Sequence, residues 1–387
     1  MFKALLHIGL VATALFFIPG LDMRDIKMSC ALVFAMGLIA AGLYSHGLRK
    51  FNNKWLLVLL AYIPLSIYLA PKPSISLLGM DVSYFWSWEP FFQIVAFSLL
   101  AMSVASYKFE WNEIEDVLRT ITYIGAFVSA YMIVQFFMLY QFFKPLDSFI
   151  PGRGQVAGFI GNPTLTSPLI VMMIPIALYL RKYAVFALMV TAVILTKSQV
   201  AMGAMGIVCL LMLASKGWQR AVIASVIGLL AFTYVISNPR IVEDNQRFEM
   251  WKQIVVDIKS PIAKDIENSY PLTGRGIGSF RYIFHQEHPG TELKPNRFVQ
   301  AHNEYLEFAY GTGILGLFFL LMAMWTTVKS NIRIGAVMRG WESGKRVALV
   351  CSFIGISICA AGTFVWQIGS IAFLTSVIVG LLHNETV

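Results

Sequence analysis

Residues 298–321 read FVQAHNEYLEFAYGTGILGLFFLL. His302, Asn303, Glu304 and Glu307 open the segment, and Gly311, Gly313 and Gly316 lie in the uncharged run that follows. A histidine and two carboxylates at the mouth of an apolar helix suit proton transfer at a membrane surface. Imidazole titrates near neutral pH and can take a proton from a hydroxyl. The positive end of a helix dipole disfavours imidazolium and keeps the ring neutral. The bland reading of a lone boundary histidine is an interfacial anchor. Glu307 lies about one turn into the span and about 140° around it from His302. A carboxyl group there is costly in lipid and implies a function or an Arg partner. The three glycines offer a surface for close helix packing.

Two further stretches carry chemistry-bearing residues. In NPRIVEDNQRFEMWKQIVVDIKSP, residues Phe248, Trp251, Ile254, Val255 and Ile258 fall at helical spacing, which predicts an amphipathic helix over 246–259. With that face it could lie flat in the membrane interface. Arg247 precedes Trp251 by four positions, so it lies on or beside the apolar face. An anionic partner such as a lipid phosphate, or ordinary snorkelling, accounts for it equally well. In YPLTGRGIGSFRYIF, Gly274, Gly276 and Gly278 let backbone N–H groups approach an anion, with Arg275 among them. Taken alone, this run is a plain turn. It matches neither a phosphate-binding Walker loop nor a dinucleotide fingerprint, which argues against nucleotide binding. His285, His288 and His302 could supply three imidazoles to a metal, but HQEH is not a zincin pattern and His302 is distant. A solvated loop accounts better for His285 and His288.

Composition supplies the setting. Of 387 residues, 57% are hydrophobic and only 13% charged, against about a quarter charged in soluble domains. Aromatic residues make up 14%, as expected where many interfacial anchors are needed. The fold class expected is an all-α polytopic membrane protein. Apolar runs at about 4–20, 28–48, 55–70, 90–106, 120–140, 156–180, 183–196, 198–215, 221–237, 304–328, 347–362 and 364–382 predict about twelve transmembrane helices. The net charge of +9 is explained by the positive-inside rule rather than by nucleic acid. With the N-terminus cytoplasmic, short inner segments hold 15 basic residues and short outer loops 6. Residues 238–303 then form a large outer, periplasmic loop between helices 1–9 (1–237) and 10–12 (304–387). Cys30, Cys209, Cys351 and Cys359 all lie in apolar stretches, so no disulfide framework and no metal spacing is expected.

The sixth span, VAGFIGNPTLTSPLIVMMIPIALYL, contains Asn162, Pro163, Pro168 and Pro175. Three prolines predict a broken or kinked helix lining a cavity. The turn TKSQ after the short seventh span either aims Lys197 into that cavity or lets it snorkel outward.

Together these pieces resemble the O-antigen ligase and polymerase family, lipid-linked oligosaccharide transferases of the membrane-embedded GT-C type. AHNEYLEFAYGTGILGL is similar to the family's His-Asn pair, with Leu306 and then Gly313 and Gly316 entering a helix. Arg247 and Trp251, followed by Pro271, Leu272, Gly274, Gly276, Gly278, Ser279 and Phe280, resemble its outer-loop elements. GFIGNP resembles its Gly-x-x-x-Asn-Pro element. The likeness covers roughly residues 150–320 by motif and the remainder by topology. One position departs from the pattern. The family usually has Ser-Arg at the start of the eighth span, and this chain has Ser198 and Gln199. An amide does not replace a guanidinium charge, and Lys197 is the nearest substitute.

The resemblance implies a periplasmic-face reaction in the bacterial inner membrane. A glycan leaves undecaprenyl pyrophosphate for a hydroxyl of lipid A–core, with inversion and without a metal or other cofactor. His302 is the implied general base, and Arg247 the implied stabiliser of the leaving pyrophosphate. Arg275, Lys197, Gln199, Asn303, Glu307, Arg153 and Asn162 form the implied substrate-binding set. A polymerase acting on a second lipid-linked glycan and an oligosaccharyltransferase acting on a protein hydroxyl are the alternatives. A transporter or flippase would keep the spans but need no base.

Overall fold

The computed structural model describes residues 1–16, 23–45, 47, 53–70, 76–77, 80–81, 85–137, 156, 158–215, 245–259, 270–284, 300–337 and 341–384. The apolar run 221–237, together with Arg153, His285 and His288, lies outside the described residues.

Thirteen α-helices account for nearly all of the described chain. They are α1 (Phe2–Leu15), α2 (Met23–Ser45), α3 (Lys54–Leu69), α4 (Phe85–Ser106), α5 (Trp111–Phe137), α6 (Pro163–Tyr179), α7 (Tyr183–Leu195), α8 (Gln199–Ala214), α9 (Asn245–Lys259), α10 (Tyr270–Thr273), α11 (Glu304–Val337), α12 (Trp341–Ala360) and α13 (Gly369–Leu382). A two-residue antiparallel ribbon pairs Ser76–Leu77 with Met80–Asp81. The helical fold class expected from the sequence is present, and exposed apolar side chains such as Val33, Met36, Tyr123 and Phe127 give α2 and α5 lipid-compatible faces.

The expected number of spans is corrected. Among the described residues, four helices are long and apolar enough to cross a bilayer: Asp25–Ser45, Ser87–Ser106, Trp111–Phe137 and Glu304–Ile332. Six further apolar helices, including α6, α7 and α13, are shorter, with 10–17 residues. At about 1.5 Å per residue they fall short of a hydrocarbon core of about 30 Å. Some apolar runs are longer than the helices they form, as 156–180 is against Pro163–Tyr179 and 364–382 against Gly369–Leu382, because caps, prolines and turns consume their ends.

The proline-rich helix α6 does not line the cavity described below. It is buried on all sides, from Pro163 to Tyr179. It packs against α5, α7, α8 and α12 at the centre of the main apolar core. A helix without a polar stripe belongs in such a place. Pro163 opens it at the first helical position, where its missing N–H costs nothing. Asn162 caps it by accepting from the Thr164 N–H at 2.9 Å.

One helix matters most for the site. α11 is sharply kinked at Gly313, whose φ is +71°. The left-handed backbone breaks the hydrogen-bond ladder and leaves the Thr312 carbonyl to an outside partner. The Tyr62 hydroxyl of α3 contacts that carbonyl at 3.0 Å and the Leu272 carbonyl at 2.6 Å. Ser66 donates to the Thr273 carbonyl at 2.7 Å. A side chain at Gly313 would collide with the Leu272 backbone. The glycine surface expected to receive another helix thus receives the 272–277 loop instead, fixed from behind by α3.

Candidate active site

The site forms where α9, the glycine-rich loop and the start of α11 meet. The sequence correctly places a helix over 246–259, but its buried face differs from the expected one. Met250, Ile254, Asp257 and Ile258 are buried, whereas Phe248 is half exposed. Periodicity identified the stripe but not its centre. The buried side chains pack with Phe280, Phe284, Ala301 and Tyr310 in a small core of their own. α9 therefore docks on α11 rather than lying free at an interface.

Arg275 sits in that seam. It is 2% exposed, with its guanidinium carbon 4.5 Å from the centre of the Tyr310 ring. Both terminal nitrogens donate to the Asp257 carbonyl at 3.3 Å, near the C-terminal end of α9. Its own N–H donates to the Tyr310 carbonyl at 3.0 Å. This arrangement joins α9, the loop and α11, and commits the guanidinium to protein partners. Cation–π contact and a helix C-terminus are both favourable for a positive charge.

His302 precedes α11 and is not part of it. Asn303 is the cap, its side-chain oxygen accepting from the N–H groups of Tyr305 and Leu306, each at 3.1 Å. His302 has φ +51°, in the left-handed region, so its angular relation to Glu307 is not that of two helical residues. Its ring lies edge-on to Phe364, with centroids 5.2 Å apart. The strap 300–303 is held from two sides. Trp251 donates its indole N–H to the Ala301 carbonyl at 2.7 Å. Glu307 accepts the Ala301 N–H at 2.9 Å. Arg247 lies one helical turn before Trp251, on the same side of α9. The two residues implied as catalytic thus belong to elements joined at Ala301.

The other side of the strap carries residues that sequence reasoning missed. Gln367 accepts from Gln300 at 3.0 Å and donates to Glu307 at 2.9 Å, while the Trp366 N–H donates to Glu304 at 2.9 Å. The only sequence signal was a Trp-Gln pair interrupting apolar residues between the last two helices. Glu307 is therefore a strap-holding group in this geometry, and Asn162 and Asn303 are helix caps.

Lys197 and Gln199 are exposed at the α7–α8 turn, where Lys197 has φ +54°. Neither lines the cavity between the helices. They are not remote from the strap, however. Gly362 packs against Val200, and Phe364, two residues on, meets His302. The turn and the histidine flank the same α12–α13 connection.

That cavity, about 350 Å³, lies between α3, α4, α11 and α13. Gln300, Glu304 and Glu307 wall one end and Asn53 and Thr327 the other. Among the described residues no group of three or more His, Cys, Asp and Glu side chains is placed to hold a metal. No protein-family model matches the chain, and no curated protein matches it.

Proposed function

We propose that the chain is a membrane-embedded glycosyltransferase that moves a glycan from undecaprenyl pyrophosphate to a hydroxyl of lipid A–core, as an O-antigen ligase does. The observation that carries this reading is the pairing of motifs far apart in sequence. Trp251 of the Arg-and-Trp helix is bonded to Ala301, next to His302. The glycine-rich loop is locked to the Gly311–Gly313 segment of α11, the helix that follows His302. Two motifs read separately from the sequence are thus seated on the strap that carries His302 and on the helix that follows it.

The acceptor oxygen attacks the anomeric carbon as the carbon–oxygen bond to pyrophosphate breaks on the opposite face, which inverts the centre. The hydroxyl proton passes to a ring nitrogen of His302, and undecaprenyl pyrophosphate leaves with the bonding pair. Arg247 supplies positive charge where that leaving group develops negative charge. Arg275, enclosed behind it, fixes the position of α9. Lys197 and Gln199 lie beyond the α12–α13 connection, at the edge of the site, where they can contact a long donor. The left-handed backbone at His302 costs about 1 kcal/mol or more. The two bonds to Ala301 and the Asn303 cap offset it, and retained strain of this kind is typical of functional positions.

Purified protein given an undecaprenyl-pyrophosphate glycan, with and without lipid A–core, tests the reading by product mass. A product that requires lipid A–core and disappears in His302→Ala supports a ligase. Longer glycans on the polyprenyl carrier without lipid A–core mean a polymerase. Full transfer by His302→Ala removes the assigned base.

A further inference from the structure

The cavity has a polarity gradient that the transfer reaction does not explain. On α4 its lining runs from Glu89 to Ala101, and α11 contributes two stretches, Glu304–Phe308 and Leu320–Thr327, on either side of the Gly313 kink. At about 1.5 Å per residue the α4 wall extends roughly 18 Å. The cavity's modest volume over that length makes it long and narrow, the shape of one alkyl chain. Its middle is apolar, with Leu59, Ile94, Phe97, Phe308, Leu320 and Met324 facing inward. At the Glu304 end, the carboxyl groups of Asp25, Glu89, Glu304 and Glu307 line it beside one guanidinium, that of Arg281. The Gln93, Gln300 and Gln367 amides join them.

Carboxyl and amide oxygens accept hydrogen bonds in many directions. Four carboxyl groups to one guanidinium make the mouth a poor host for phosphate or pyrophosphate and a good one for hydroxyl donors. The volume falls in the range of small-molecule sites, and a mainly apolar cavity with a few convergent polar groups is their usual form. We propose that this cavity binds a single-chain amphiphile with a hydroxyl-rich, non-anionic head. Its chain lies between α3, α4, α11 and α13, and its head hydroxyls donate to the carboxyl and amide groups at the mouth. The assignment stands without the transferase reading. If that reading also holds, the head lies against the strap that carries His302, where an acceptor hydroxyl is needed.

The test uses the full chain in phosphatidylcholine nanodiscs and needs no turnover. A dodecyl maltoside bearing a diazirine at mid-chain is photolysed, and the labelled peptides are mapped by mass spectrometry. The expected result is label concentrated on the α4 and α11 peptides that carry Phe97 and Met324. Excess dodecyl maltoside should reduce it by about tenfold or more, while dodecyl phosphate should leave it unchanged. Ala323→Phe, which fills the cavity, should abolish it. Label spread over lipid-facing residues such as Val33 and Tyr123, without competition, overturns the site. Equal competition by dodecyl phosphate overturns the assigned head chemistry. If Ala323→Phe does not fold, the two competitors on the unaltered chain still decide the matter.

Discussion

The indole N–H of Trp251 donates to the Ala301 carbonyl at 2.7 Å, tying helix α9 to the backbone beside His302. Because Glu307 accepts the N–H of the same residue at 2.9 Å, both polar groups of Ala301 are held by side chains from separate elements. Trp251→Phe keeps the apolar packing and removes one of these bonds. We expect a stability loss of about 1 kcal/mol, measured by thermal unfolding in detergent. The expected kinetic signature is a lower kcat with little change in the donor's KM. A variant with unchanged kcat would mean that the strap does not position the base.

Substitutions at His302 separate chemistry from strain. His302→Ala and His302→Gly should both lower glycan transfer by about a hundredfold or more, the usual contribution of a general base. The glycine variant relieves the left-handed φ of +51° and should be the more stable by roughly 1 kcal/mol. Equal melting temperatures would show that the backbone there is not strained.

The kink in α11 leaves no room for a side chain. Gly313→Ala places a methyl group against the Leu272 backbone, at a φ that L-residues rarely adopt. A loss of at least about 2 kcal/mol is expected. Limited proteolysis should then cut within the glycine-rich loop before the bundle. Cleavage in the order of the native protein would argue against the loop being seated on this kink.

Lys27 looks from the sequence like one more cation in an outer loop. In the structure it is fully buried and donates to the Thr13, Ala14 and Phe16 carbonyls at 3.2, 2.9 and 3.0 Å. It closes the C-terminus of α1, where positive charge is favoured. Lys27→Met should cost about 3 kcal/mol, read from denaturation in mixed micelles. A neutral result would mean that water reaches those carbonyls.

His383, just past α13, has its pKa lowered from 6.5 to about 4, by burial first and then by the Arg346 charge. The folded protein therefore binds this proton less readily than the unfolded chain. The contribution is fully present above pH 6.5 and is lost as pH falls from 6.5 towards 4. It amounts to at most about 3 kcal/mol. His383→Gln should flatten the fall in melting temperature across that window, and an unchanged profile would assign the acid sensitivity to other groups.

What the sequence revealed depended on the range of the interaction. The helix over 246–259 was legible because its apolar residues recur at a local spacing, and His302 because polarity changes abruptly beside it. Even so, the true buried face includes Met250 and Asp257 rather than Phe248, since periodicity cannot say which flank of a stripe meets a partner. Asn162 and Asn303 precede helices in the manner of caps, a local signal that the structure bears out in their capping bonds. Gln367 was illegible because its partners Gln300 and Glu307 lie 67 and 60 residues away. The span count failed because a run of hydropathy does not record where a helix is capped.

Asn384 donates its side-chain amide to the Val104, Ala105 and Tyr107 carbonyls at 3.1, 3.1 and 2.7 Å. These groups end α4, which leaves the ribosome some 280 residues earlier. During synthesis, then, the end of α4 waits through the making of nine more of the described helices before its own stopper exists. Membrane insertion can proceed in order along the chain, but completion cannot. The last lock on α4 is made long after α4 itself, and a nascent chain interrupted before Asn384 remains recognisably unfinished there.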